Sequence, residues 1–188
     1  MRVETSRRTG GDRAAAEAGP ELLTGTRLRA LHAEFADLLL DTVHGGNSLG
    51  FLASLDRAEA EAFWRARADA VDRGGLLLLA VRDQGRVVGT VGVDLVDKAN
   101  GRHRAEIVKL MVHSSARGRG LGRLLLTAAE RAAAERGVTL LVLDTETGSD
   151  AEGFYAAAGW TRVGTIPGFA ADPGGVLHPT TLFYKQLT

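Results

Sequence analysis

Lys109-Leu110-Met111-Val112, followed four residues later by Arg117-Gly118-Arg119-Gly120-Leu121-Gly122, is the stretch from which the rest of the chain is read. An aliphatic strand ending at Val112 runs into a glycine-rich turn, and a helix begins near Gly120. The first amides of a helix have no intrahelical partner, and the helix dipole adds partial positive charge there, so such a turn binds anions. Glycines let the backbone approach a phosphate closely, and Arg117 and Arg119 add cations that match phosphate oxygens. It is not a Walker A loop, because no Gly-Lys-Ser/Thr follows. Nor is it a dinucleotide fingerprint, because Gly118, Gly120 and Gly122 are spaced G-x-G-x-G. On its own, the turn reads equally well as a phosphate cradle or as a flexible, arginine-rich surface loop.

Downstream, Leu121, Leu124, Leu125, Ala128 and Ala132 form one helical stripe that ends at Gly137. Val138–Asp144 reads as a buried strand and Asp150–Ala157 as a short helix. Trp160–Ile166 and Thr180–Leu187 read as two last strands around a Gly/Pro-rich loop. Upstream, Leu28, Leu31, Phe35, Leu38 and Leu39 make an apolar stripe that starts at Thr26 and stops before His44-Gly45-Gly46. A second helix starts near Asp56 with Glu59 as a capping box and ends at Gly74-Gly75. Strands follow at Leu76–Arg82, Arg86–Val96 and Ala105–Val112, with Gly89 and Gly92 marking a bulge or a close approach. The pattern predicts an α/β (α+β) fold, a central mixed sheet with helices on both faces.

Composition bounds the function. The 188 residues carry 23 Lys plus Arg against 23 Asp plus Glu and no cysteine. Zero formal charge argues against sequence-independent nucleic-acid binding, which needs a basic surplus. Without cysteine there is no disulfide scaffold, no thiolate nucleophile and no Cys-based metal site. The five histidines, at 32, 44, 103, 113 and 178, never fall at metal-ligand spacing, so no metal is expected. Residues 1–25 read as a polar lead-in with Arg2–Ser6 as a candidate strand, and residues 26–188 as a single domain. Residues 1–20 contain no apolar stretch, and the longest aliphatic run, Leu76–Val81, is far short of the ~20 residues of a membrane helix. A cytoplasmic protein without membrane contact is the expectation.

A second block, Ala151-Glu152-Gly153-Phe154-Tyr155-Ala156-Ala157-Ala158-Gly159-Trp160, gives the turn its context. The two blocks together resemble the coenzyme A motif Arg/Gln-x-x-Gly-x-Gly/Ala and the A-x-x-F/L-Y-x-x-x-G-F/W segment of the GCN5-related N-acetyltransferases. Three further segments resemble the tabtoxin-resistance type within that superfamily: Asp41–Phe51, Leu143–Ser149 and Leu177–Thr180. The resemblance spans about Leu31 to Leu187. It implies the GNAT fold, with a mostly antiparallel sheet, and acetyl-CoA as cosubstrate bound at Leu110, Met111, Val112, Arg117, Gly118, Arg119, Gly120, Leu121, Gly122 and Tyr155. Where members of the superfamily often carry Asn, this chain has Gly148, and neighbouring Ser149 is the candidate substitute.

The implied reaction is direct attack of an amine on a thioester. It needs a group to take the ammonium proton, donors for an oxyanion, and an acid for the leaving thiolate. No enzyme thiol is required. Glu106 is the first candidate base, and alternation puts it on the same face as Val108, Leu110 and Val112. Asp144, closing the next strand, is the second. The alternatives are a Glu106 paired with Arg104 or Lys109 and an Asp144 that only caps a turn. Tyr155 is the candidate acid, since a phenol is protonated near neutral pH; its alternative is a core residue. A backbone N–H of the Leu110–Val112 strand would meet the oxyanion.

Asn47, Ser48 and Phe51, in the glycine-rich loop between the first two helices, are the candidate acceptor contacts, although a tight helix–helix turn explains the same composition. His44 and His178 are assigned no role, and Trp64 and Trp160 are assigned to the core. The acceptor implied is a small, amino-acid-like or antibiotic-like amine, the role detoxification or metabolite modification. The rival readings are a protein N-acetyltransferase and a non-catalytic acetyl-CoA sensor. Many members of the superfamily form dimers, so a homodimer is an expectation, but no stretch of sequence marks an interface.

Overall fold

The computed structural model describes residues 19–47 and 49–187. The candidate strand Arg2–Ser6 and the candidate contact Ser48 therefore lie outside the described residues. Helix α1 (Gly25–His44) is capped by Thr24, whose hydroxyl accepts from the Arg27 amide. Its stripe of Leu28, Leu31, Phe35, Leu38 and Leu39 is buried. Helix α2 (Arg57–Asp72) starts with the predicted capping box: Asp56 accepts from the Glu59 amide and Glu59 from the Asp56 amide. The two helices pack through Phe35 and Trp64, whose ring centroids are 4.8 Å apart.

The strands are β1 (Glu21–Leu22), β2 (Leu76–Asp83), β3 (Arg86–Leu95), β4 (Arg104–Val112), β5 (Leu140–Glu146), β6 (Thr161–Ala171) and β7 (Leu177–Gln186). Helix α3 (Leu121–Glu135) joins β4 to β5, and helix α4 (Asp150–Ala157) joins β5 to β6. The strands form one sheet in the order β1-β2-β3-β4-β5-β7-β6. Every neighbouring pair is antiparallel except β4 and β5. β2 is buried on both faces, so it reads as a continuous apolar run: Leu76, Leu78 and Ala80 face α1 and α2, while Leu77, Leu79 and Val81 face α3.

Two expectations need correction. β1 falls in the segment read as a lead-in, where two residues paired with Leu79 and Ala80 leave no periodic signal. The last two strands are longer than predicted. β6 continues through Pro167 and Gly168 to Ala171, because as the edge strand it can carry a proline that a central strand would reject. No helix among the described residues is long and apolar enough to cross a membrane.

The feature that positions the site is a bulge in β4. Thr90 lies opposite Met111, but Gly92 lies opposite Val108. Lys109 and Leu110 thus occupy the span of a single β3 residue, Val91. Lys109 has φ of 52°, a left-handed conformation that a non-glycine residue adopts at a cost of about 1–3 kcal/mol. The extra residue rotates the end of the strand. Ala105 and Ile107 face α3, and so do Leu110 and Val112, whereas Val108 and Met111 face α1 and α2. Simple alternation, which grouped Glu106 with Leu110 and Val112, therefore fails: Glu106 belongs to the α1–α2 face. β4 pairs with β5 only from Arg104 to Glu106, while β5 stays paired with β7 as far as Glu146. Past Glu106 the two parallel strands separate.

Both glycines of β3 lie against this bulged strand. A Cβ on Gly92 would sit 2.8 Å from Val108 Cγ2 and 3.1 Å from Leu76 Cδ1, and one on Gly89 would sit 2.9 Å from Leu125 Cδ1. Gly92→Val is expected to destabilise the protein by about 1–3 kcal/mol through overpacking, seen as a Tm several degrees lower by circular dichroism. An unchanged Tm would show that β3 and β4 are not closely apposed there.

Candidate active site

The parting of β4 and β5 opens a cleft of about 680 Å³ through the sheet. Its floor is β4 from Glu106 to Val112 and β5 from Asp144 to Glu146. On the α3 side it is bounded by Arg117, Gly122 and the start of α4. On the α1–α2 side it is bounded by Asn47, Leu49 and Gly50, and the β6–β7 hairpin covers it with Phe169 to Ala171 and His178 to Thr180.

The α3 end has the makings of an anion site. Gly118 and Gly120 have φ of 73° and 78°, the left-handed region that glycine enters without penalty. Gly120 at the N-cap of α3 has no side chain with which to bond the first-turn amides. Gly122 keeps the helix close to the Phe154 ring, 3.7 Å from where a Cβ would lie. Arg117 lines the cleft, and its Nε donates to the Val112 carbonyl at 3.2 Å. The turn is tied to α1 by Asp41, which accepts from the Ser114 amide at 2.8 Å and the Ser114 hydroxyl at 2.7 Å. Burial alone would raise the Asp41 carboxyl, but the Ser114 bonds and the charges of His113 and Arg117 outweigh it and hold it below the usual aspartate value.

The remaining motif residues are placed differently from one another. Leu110, Met111 and Val112 line the cleft. Leu121, the first residue of α3, is buried in the core. Gly118, Arg119 and Gly120 do not line the cleft, and Arg119 ion-pairs at 2.6 Å with Asp83 at the end of β2. Ser149 does line it. Its hydroxyl donates to the Glu146 carbonyl at 2.7 Å, so its lone pairs remain available to a ligand. The Gly148 amide, in contrast, donates to Glu152.

Glu106 and Asp144 meet on the α1–α2 face, where Asp144 accepts from the Thr180 hydroxyl at 3.3 Å. Burial raises the Glu106 carboxyl above the usual glutamate value, and the charges of Asp144 and Asp94 raise it further against the opposing pull of Lys109. Arg67 of α2 binds Asp94 through both carboxylate oxygens, at 2.9 and 2.8 Å. Around Glu106 there are thus two cations, Arg67 and Lys109, and three carboxylates. Carboxyl groups outnumber cations there by one. Tyr155 enters from the opposite face, buried among Phe154, Trp160 and Phe183. Burial, with the Asp144 charge added, pushes its phenol well above the ordinary tyrosine value, so it stays protonated.

Asn47 lines the cleft, but Phe51 does not; its ring stacks edge-on against Phe63, with centroids 5.1 Å apart. Sequence reasoning passed over three contributors. Lys109 enters the sequence reading as part of the motif strand and as a possible partner of Glu106, not as a contact to the α1–α2 loop. Thr180 enters it as a strand residue and as the end of the Leu177–Thr180 segment, not as a hydrogen-bond partner of Asp144. His178, which had no role, lines the cleft between Asp172 at 3.1 Å and Glu146 at 3.6 Å. Among the described residues no group of three His, Asp or Glu side chains could hold a metal ion.

Known proteins share this architecture. The ribosomal-protein-alanine N-acetyltransferase of Brucella melitensis is 25% identical, with a TM-score of 0.69 over 89% of this chain and 99% of that one. A Streptococcus pneumoniae acetyltransferase of the GNAT family is 20% identical, with a TM-score of 0.72 over 89% and 98%. The Salmonella typhimurium protein yncA, solved with its cofactor acetyl-CoA, is 21% identical, with a TM-score of 0.65 over 90% and 93%. The profile of the acetyltransferase (GNAT) family matches residues 40–160, from the end of α1 to Trp160, and so takes in the bulged strand, the glycine turn and the α4 block. The chain belongs to the acetyltransferase (GNAT) family.

Proposed function

We propose that this chain is an acetyl-CoA-dependent N-acetyltransferase whose acceptor is a small, amino-acid-like amine. The observation that carries the reading is the excess carboxylate at Glu106 and Asp144, set on the α1–α2 side of the cleft floor, away from the anion site at α3. An ammonium group is drawn to one end and a pyrophosphate to the other. The residues present suit the cosubstrate: amides of the first turn of α3 with the Arg117 guanidinium for the pyrophosphate, and the separated edge of β4 for the amide-bearing arm.

When bound, acetyl-CoA supplies the thioester carbonyl that the amine attacks. Glu106, backed by Asp144, takes the proton from the incoming ammonium; its raised affinity for protons makes it a better base near neutral pH than an ordinary glutamate. The β4 edge from Leu110 to Val112 offers backbone N–H donors for the oxyanion. Tyr155 gives its phenolic proton to the leaving sulfur, and burial keeps that proton in place beforehand.

A small acceptor, and with it the tabtoxin-resistance type, is favoured by where three distant segments meet. Asn47 with Leu49, Asp144 with Glu146, and His178 with Thr180 line the same cleft. They belong to the three segments that resemble that type. The amide of Ala53, in the loop after α1, donates to the Pro173 carbonyl of the β6–β7 turn at 2.8 Å, so loop and hairpin close over the site together. Such a roof suits a free metabolite, antibiotic or toxin better than an extended chain.

The test is thiol release from acetyl-CoA with a panel of free amino acids and, in parallel, short peptides with free N-termini. Release with free amino acids is expected, and release confined to peptides would overturn the small-acceptor assignment. Tyr155→Phe should lower kcat by roughly 10²-fold, the usual worth of a general acid, with the dissociation constant of acetyl-CoA unchanged. A wild-type rate would remove its role as acid. In the wild type, kcat/KM should fall as pH drops through the raised value of Glu106. Asp144→Asn removes a charge that raises that value, so the acid limb should move to lower pH, toward the ordinary glutamate value of 4.5. A limb that stays in place would end the assignment of this pair.

A further inference from the structure

Lys109 is the least explained residue of the site. It occupies the bulge at φ of 52°, where a glycine would be unstrained, yet it is a lysine with a half-buried side chain. Its ammonium donates to the Leu49 carbonyl at 2.7 Å. It also lies 5.6 Å from the ring centroid of Phe51 and 5.7 Å from that of Phe63. Leu49 itself has φ of 46°. Two left-handed non-glycine residues, one in β4 and one in the α1–α2 loop, are thus joined by one charge-assisted hydrogen bond. Such a bond is roughly twice as strong as a neutral one, and cation–π contacts add to it.

The charged groups facing Lys109 come from every neighbouring element: Arg67 of α2, Asp94 of β3, Glu106 of β4 and Asp144 of β5. Burial and Arg67 pull its ammonium below the usual lysine value, and the three carboxylates oppose that pull. The loop contributes the Leu49 carbonyl and the Phe51 ring, both of which prefer the charged form.

We propose that Lys109 is a positioning residue for acetyl transfer, holding the acceptor loop at Leu49 and the Glu106–Asp144 pair in register as one unit. The bulge that opens the sheet also swings this side chain out of the strand and toward the loop. One local distortion therefore serves both halves of the site: the cleft for the cosubstrate and the wall for the acceptor. This assignment also accounts for Phe51, which acts from behind the wall through Lys109 rather than by touching the acceptor. The proposal rests on the reading of the cleft as the acetyl-transfer site, but its physical core does not need turnover to be observed.

The experiment compares wild type, Lys109→Met and Lys109→Arg. Both substitutions keep an L side chain of similar length at the strained φ, so backbone strain is held constant. In the free protein, carboxyl-carbon NMR follows the titration of Glu106, and hydrogen exchange follows the backbone amides of Leu49, Gly50 and Phe51. Lys109→Met should move the Glu106 titration to higher pH, because a cation that favours the carboxylate is gone. It should also speed exchange of the three loop amides at least tenfold. Lys109→Arg should return both toward wild type. Kinetics with the best free amino acid from the acceptor panel should show a KM for that amino acid at least tenfold higher in Lys109→Met, with the dissociation constant of acetyl-CoA unchanged. A Glu106 titration and loop exchange identical to wild type in Lys109→Met would overturn the positioning role whatever the activity. If wild type acetylates none of the amines, the functional reading fails while the two measurements on the free protein still decide the role of Lys109.

Discussion

The extra residue in β4 is the constraint on which the rest of the molecule depends. Parallel strands pair through evenly spaced bonds, and a left-handed residue in one of them cannot keep that register. β5 is held by β7 on its other side along its whole length, so β4 is the strand that leaves. Two glycines allow the close packing that results: Gly92 lies on Val108 of the distorted strand, and Gly89 lies on its Met111 carbonyl and on Leu125 of α3. A cleft through the middle of a sheet would otherwise be a packing defect. Here α3 and α4 cover one side of it, and α1, α2 and the β6–β7 hairpin cover the other.

The same distortion sorts the charges. Glu106 turns to the α1–α2 face together with Asp144, while Leu110 and Val112 turn to the face where Tyr155 and the glycine turn lie. In the proposed reaction the candidate base, Glu106, and the candidate acid, Tyr155, therefore reach the cleft from opposite faces of the sheet. A chain with no net charge carries a cation-lined end and a carboxylate-lined end within one cleft. Burial then shifts both groups the same way: it raises the proton affinity of the glutamate and keeps the tyrosine protonated.

Several parts of this were legible in the sequence because their cause is local. The periods of α1, α2 and α3, the Asp56–Glu59 box and the glycines at φ of 73° and 78° depend on residues a few positions apart. Glu106, Asp144 and Tyr155 could be chosen as candidates because the reaction implied by the resemblance needs their chemistry. Other parts were not legible. The bulge depends on the register between β3 and β4, which no window of sequence contains, so alternation put Glu106 with the wrong neighbours. Arg119 and Arg117 look equivalent in the motif, but only the end of β2 supplies Asp83, which pairs with Arg119 and leaves Arg117 to the cleft.

The sequence by itself determined the fold class, the order of the elements from α1 onward and the two motif blocks, because hydrophobic period, caps and glycine conformations are short-range properties. Only the tertiary structure decided which side chains share a face, that the sheet opens past Glu106, that three distant segments meet in one cleft, and that Lys109 joins strand to loop. These are contacts between residues far apart in the chain, Lys109 and Leu49 by 60 positions, set by strand register and by the entropy of closing long loops, and they exist only once the chain has packed.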